Sequence, residues 1–109
     1  MLDYTYSDQL AREIIETMTG YFGESERTRV HEAIWGAYIF AREAHDTQVR
    51  KSGEPYITHP LEAAKLLLRL KPDLVTVQSC ILHDVIEDTP QTEADIERLF
   101  GRDVALICQ

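Results

Sequence analysis

Apolar residues recur along the chain at intervals of three and four, and strict alternation is nearly absent, so the pattern predicts helices and no sheet. Leu10, Ile14, Ile15 and Met18 share one side of a first helix, with Ser7 as its candidate N-cap and Gly20 as its stop. Gly23 breaks the chain, and Ser25 is placed to cap a longer helix whose face reads Val30, Ala33, Ile34, Ala37, Tyr38, Ala41 and Ala44. The periodicity stops between Asp46 and Tyr56, where Gly53 and Pro55 predict a turn-rich loop. The next helix is expected to start at Pro60, since a proline at the first helical position lacks only a donor that has no partner there. That places His59 at or beside the N-cap, and the helix runs through Leu61, Ala64, Leu67 and Leu68 to about Leu70. Asp73 caps a further helix expected to continue to about Asp88, ahead of Thr89-Pro90. Thr92 and Asp95 form a capping box for a short helix carrying Ile96, Leu99 and Phe100, Gly101 ends it, and Asp103 opens a last one. The expected fold class is all-α, with five or six helices and one conspicuous loop.

Composition adds limits to this picture. A chain of 109 residues with 44% hydrophobic positions has the size and core of one domain, residues 1–109. The 11 Lys and Arg face 19 Asp and Glu, a net charge of -8, so the chain lacks the basic field that polymeric nucleic acid or an anionic membrane requires. A phosphate-bearing ligand would need a metal or a small local cluster of cations. Cys80 and Cys108 lie in apolar helical patterns without metal-type or redox-type spacing, and read as small core residues of a reducing compartment. The N-terminal stretch carries Asp3 and Asp8 and no basic n-region, and the apolar runs are far too short for a membrane span, so a cytoplasmic location is expected. The final segment from Val104 to Gln109 stops without cap, glycine or polar tail, as if cut in mid-helix.

The chemistry concentrates in Ile81-Leu82-His83-Asp84-Val85-Ile86-Glu87-Asp88. On a continuous helix, His83, Asp84, Glu87 and Asp88 fall within one arc of roughly 140°. One imidazole and three carboxylates would then share a space, and a divalent cation is the simplest relief for the crowded negative charge. His and Asp suit Mn²⁺, Fe²⁺, Zn²⁺ or a similar ion, with His59 able to bring a second imidazole from across the fold. Glu87 and Asp88, one turn on, are then available for proton transfer to or from an activated water. The bland alternative is a solvated acidic helix end, but acid at a helix C-terminus opposes the macrodipole. Arg50 and Lys51 are solvated loop charges or, held in a Gly/Pro loop of an acidic chain, an anion contact; Tyr56 beside them offers a packing face for a base.

These residues resemble a known family. The run from Ala44-His45 through Gln48-Val49-Arg50-Lys51-Ser52-Gly53-Glu54-Pro55-Tyr56-Ile57-Thr58-His59-Pro60, followed by Leu82-His83-Asp84-Val85-Ile86-Glu87-Asp88-Thr89 and Phe100-Gly101, is similar to the N-terminal HD hydrolase domain of RelA/SpoT-type (p)ppGpp synthetase/hydrolases. The match begins near residue 25, with residues 1–24 as an N-terminal helix and turn and residues 25–109 as the family-matching region. The resemblance implies an HD-superfamily helical bundle that uses Mn²⁺ to remove the 3′-pyrophosphate of (p)ppGpp, giving GDP or GTP. His59, His83 and Asp84 match three family metal ligands, Glu87 and Asp88 match its catalytic acidic pair, and Arg50, Lys51 and Ser52 match its nucleotide-contacting loop. The family completes its metal set with an Asp in a later stretch resembling D-R-L-H-N, which does not occur here. Asp95 and Asp103 read as capping or surface residues instead. The expectation is therefore the leading part of a hydrolase domain followed by further domains, with little turnover by these residues alone. The alternatives are a non-catalytic regulatory HD domain and an HD phosphohydrolase of other nucleotides.

Overall fold

The computed structural model describes residues 2–108, and among these the chain forms seven α-helices: α1 (Thr5–Phe22), α2 (Arg27–Ala44), α3 (Thr58–Leu67), α4 (Leu74–Leu82), α5 (Val85–Asp88), α6 (Glu93–Phe100) and α7 (Arg102–Cys108). The isolated bridge between Val49 and Pro55 is the sole β pairing among the described residues. The expected all-α architecture is the one observed.

The core follows the apolar stripes. Leu10, Ile14 and Met18 of α1 are buried against α2 and α3, so the first helix belongs to the bundle. Val30, Ile34, Ala37, Tyr38 and Ala41 are all fully buried along α2, the face read from the sequence. Helix α4 packs on α2, α3 and α7, burying Val77, Ile81 and Leu82, while α6 rests on α7. No helix among the described residues is long and apolar enough to cross a membrane.

Ahead of α4, helix ends depart from expectation in four places, each for a local reason. Asp3 Oδ1 accepts from both the Thr5 amide (2.9 Å) and the Thr5 hydroxyl (2.7 Å), so α1 begins ahead of Ser7, which turns inward and is buried. The helix passes Gly20 and stops at Gly23, whose φ of +110° suits glycine and whose N–H donates to the Thr19 carbonyl at 2.8 Å. Ser25 caps nothing: Glu24–Glu26 forms one 3₁₀ turn, and α2 starts at Arg27, where Arg27 pairs with Glu24 and Glu16. Helix α3 starts at Thr58 because turns in the preceding loop run directly into it, with Thr58 N–H on the Pro55 carbonyl (3.1 Å) and His59 N–H on the Tyr56 carbonyl (3.0 Å). Pro60 still falls in the first turn, where its missing donor costs nothing. His59 is thus an exposed first-turn residue and not a cap. The uncapped end expected at Gln109 lies outside the described residues.

Two caps match expectation. Asp73 accepts from the Thr76 amide at 2.9 Å, and Thr92 with Asp95 closes a full capping box on α6. Asp73→Ala should lower stability by about 1 kcal/mol. In urea this appears as a lower midpoint with an unchanged slope; an unchanged midpoint would show that the cap contributes nothing to α4.

Candidate functional site

Two segments converge on the candidate site: the loop between α2 and α3, and the junction of α4 with α5. The loop is closed by its own backbone. Arg50 N–H donates to the Glu54 carbonyl (2.9 Å), Gly53 N–H to the Arg50 carbonyl (2.8 Å) and Tyr56 N–H to the Gln48 carbonyl (3.0 Å). Gly53 takes φ +90°, which a side chain would disfavour. Arg50, Lys51 and Ser52 are held at the tip of this turn. Arg50 Nη1 lies 3.1 Å from Glu54 Oε1 and 3.2 Å from Glu62 Oε1, and Ser52 Oγ donates to Glu54 Oε1 at 3.2 Å. Lys51 is exposed and makes no ion pair among the described residues.

The junction corrects the expected continuous helix. α4 ends at Leu82 and α5 begins at Val85, with His83 and Asp84 forming a turn between them. His83 Nδ1 donates to the Cys80 carbonyl at 2.6 Å, and that carbonyl is the one an unbroken helix would offer to the Asp84 amide. The imidazole has taken over a rung of the ladder. A carbonyl only accepts, so Nδ1 carries the proton and, in the neutral ring, Nε2 keeps its lone pair. Nε2 lies 3.3 Å from Asp84 Oδ2. Two acceptors that close suit a metal cation beside them.

Tyr56 completes the contact. Its hydroxyl donates to the same Asp84 Oδ2 at 2.6 Å. Burial first, and then the Asp84 carboxylate, push the Tyr56 hydroxyl up to about 12, so it remains a donor at neutral pH. The ring sits 4.7 Å from the His45 ring and 6.1 Å, edge-on, from the His59 ring.

A second strap crosses the same gap. Gln48 Nε2 donates to the Asp88 carbonyl at 2.7 Å, which leaves Gln48 Oε1 to accept from His45 Nδ1 at 2.9 Å. His45 is buried and its Nε2 has no partner among the described residues. The buried end of α2 therefore holds the last turn of α5, which carries Glu87 and Asp88 with both side chains exposed.

Of the residues predicted from sequence, His83 and Asp84 are brought into contact, and His59 reaches them only through the Tyr56 ring. Among the described residues no group of three His, Cys, Asp or Glu side chains converges to hold a metal. The chemistry of the pair nevertheless fits a divalent cation: an imidazole with its Nε2 bare, its other nitrogen fixed on a backbone carbonyl, beside a carboxylate. Gln48 and the hydroxyl role of Tyr56 were missed by sequence reasoning. In the sequence Tyr56 reads as a packing face for a base, and no local pattern marks Gln48 as a strap to α5.

Comparison with known proteins identifies the family. An HD domain family model matches residues 37–109. The chain is 45% identical over 100 residues, 92% of its length, to the bifunctional (p)ppGpp synthase/hydrolase SpoT of Escherichia coli (strain K12). It is 51% identical over 69 residues (63% of its length) to the guanosine-3′,5′-bis(diphosphate) 3′-pyrophosphohydrolase of Haemophilus influenzae, and 49% identical over 69 residues (63%) to a GTP pyrophosphokinase of Myxococcus xanthus. The chain spans 13%, 10% and 9% of these three relatives. With a helical bundle, a matching family model and these relatives, the chain belongs to the HD domain family, in its RelA/SpoT branch.

Proposed function

We propose that this domain serves a metal-dependent (p)ppGpp 3′-pyrophosphohydrolase, which adds water to the 3′-diphosphate of the nucleotide and releases pyrophosphate with GDP or GTP. The observation that carries the reading is the His83 and Asp84 pair, two fixed acceptors 3.3 Å apart at the surface end of a buried helix. His83 and Asp84, joined by His59, would hold the cation, with Mn²⁺ as the ion implied by the family resemblance. When bound, such an ion supplies Lewis-acid activation of water and offsets charge on phosphoryl oxygens.

The remaining roles fall to the chain itself. Hydrolysis requires a proton to leave the attacking water and one to reach the departing 3′ oxygen. Glu87 and Asp88 are exposed carboxylates one turn from Asp84 and serve as that acid and base. Lys51 meets a phosphate directly, whereas Arg50 must exchange Glu54 and Glu62 for the nucleotide. Ser52 adds a hydroxyl to the same contact. The two cysteines are free, which supports a reducing compartment such as the cytoplasm.

A chain of the relatives' length carrying these residues should release pyrophosphate from ppGpp in Mn²⁺, while residues 1–109 alone should turn over little. A panel of ppGpp, dGTP and a cyclic dinucleotide tests the substrate. Hydrolysis confined to ppGpp supports the reading. Preference for dGTP would point to a general nucleotide phosphohydrolase, and ppGpp binding without turnover to a regulatory domain; either result overturns it.

A further inference from the structure

Three groups of the candidate site meet on one side chain. Tyr56 stands at the end of the cation-bearing loop, two residues before α3, yet its hydroxyl reaches across 28 positions of sequence to Asp84 Oδ2 at 2.6 Å. Its ring lies edge-on to His59, at 6.1 Å between centroids, and 4.7 Å from the buried His45. The buried ring of His45 is itself fixed through Nδ1 on Gln48. Tyr56 is therefore braced from behind by a side chain that has little freedom.

Asp84 has no comparable brace of its own. It sits in the turn where the helical ladder is interrupted, with its side chain 18% exposed beside the 45% exposed His83. A carboxylate on such a turn has several rotamers to choose from, and without a donor it would swing away from the lone pair on His83 Nε2, which faces it at 3.3 Å. The phenolic proton removes that freedom. It satisfies Oδ2 and holds the carboxylate beside Nε2 against the mutual repulsion of two acceptors, leaving Oδ1 for a further partner.

Resting on the metal-dependent reading above, we propose that Tyr56 is a positioning residue that presets Asp84, and with it the His83 and Asp84 donor pair, for a divalent cation, while its ring keeps His59 in the same frame. Tyr56 touches neither cation nor substrate in this role. Its contribution is preorganisation, so its loss acts on cation affinity and on geometry before it acts on turnover.

Tyr56→Phe isolates the hydroxyl, since the ring and its packing on His45 and His59 are retained. Two readouts follow on the 109-residue chain. Without metal, side-chain couplings of Asp84 measured by NMR should report one χ1 rotamer in the natural chain and averaging in the variant. With Mn²⁺, titrated by the electron paramagnetic resonance of the free ion, the variant should bind about 10- to 100-fold more weakly, the usual effect of removing a hydrogen-bond partner from a metal ligand. Asp84 keeping a single rotamer in Tyr56→Phe would overturn the proposal, as would unchanged Mn²⁺ affinity. Asp84→Ala and His83→Ala serve as the controls for the underlying reading. If both bind Mn²⁺ as well as the natural chain does, or if the natural chain binds none, the metal reading fails, and the rotamer measurement still decides whether Tyr56 presets Asp84.

Discussion

In a chain of the relatives' length, Asp84→Ala should abolish pyrophosphate release from ppGpp. The substitution removes a carboxylate that His83 Nε2 and the Tyr56 hydroxyl both face, at 3.3 and 2.6 Å, so a cation loses one donor and the preset orientation of the other. Lewis-acid activation contributes several kcal/mol to such a reaction, and each 1.36 kcal/mol is tenfold in rate, so the expected loss is on the order of 1,000-fold or more. Chelation of the divalent ion should reproduce it in the natural protein. The fold should survive, since Asp84 lies outside the buried core and makes no cap hydrogen bond for α5. The decisive comparison is therefore turnover in a variant whose urea midpoint is nearly unchanged. Wild-type-like turnover by Asp84→Ala would remove Asp84 from the proposed metal set.

The largest loss of stability is expected at Tyr38. Its side chain is fully buried on α2, with the hydroxyl donating to Asp8 Oδ1 at 2.5 Å and lying 2.7 Å from Ser7 Oγ. Arg42 Nη1 reaches both Asp8 Oδ1 (3.1 Å) and the Tyr38 oxygen (3.4 Å). One ring thus joins α1 to α2 through an apolar body and a polar tip. Tyr38→Ala should cost about 3–5 kcal/mol, a large share of the roughly 5–15 kcal/mol of a domain this size. Tyr38→Phe should cost about 1–3 kcal/mol, because the ring remains while Ser7, itself buried, loses its phenolic partner. A Tyr38→Phe loss as large as that of Tyr38→Ala would show that the hydroxyl network, and not the ring, joins the two helices. Burial first, then the Asp8 bond, raise the Tyr38 hydroxyl above its ordinary 10.0. The folded state holds that proton more tightly than the unfolded chain does, so the stabilisation is complete below about pH 10 and fades as pH climbs through the folded value.

Much of the fold was legible because it depends on periodicity. Val30, Ile34, Ala37, Tyr38 and Ala41 form a stripe in sequence and a buried face in the bundle. Helix boundaries were less legible, since each is settled by competition among neighbouring donors and acceptors. Asp3 bound the Thr5 amide and hydroxyl and so started α1 ahead of Ser7, and the turns of Pro55 and Tyr56 started α3 before Pro60. The break at His83 left no mark in the apolar pattern, because an imidazole displaced a backbone amide without changing which face is buried. Within the candidate site, the cluster of His83, Asp84, Glu87 and Asp88 stood out by proximity in sequence. Tyr56 and Gln48 did not, because each acts on a residue 28 or 40 positions away.

Those two long-range bonds have a dynamic consequence. Tyr56 grips Asp84 and Gln48 grips Asp88, so the loop is pinned at two points one helical turn apart on the same short segment. A single pin would let the loop swivel against α5; with two pins in place that rotation is blocked until one releases. The tip that carries Arg50 and Lys51 and the turn that carries Glu87 and Asp88 are therefore expected to open as one unit, and amide exchange rates that rise and fall together in the two segments would show it. An anion that stills the cations at one end should then also slow amide exchange at the turn of Glu87 and Asp88, with no second ordering step.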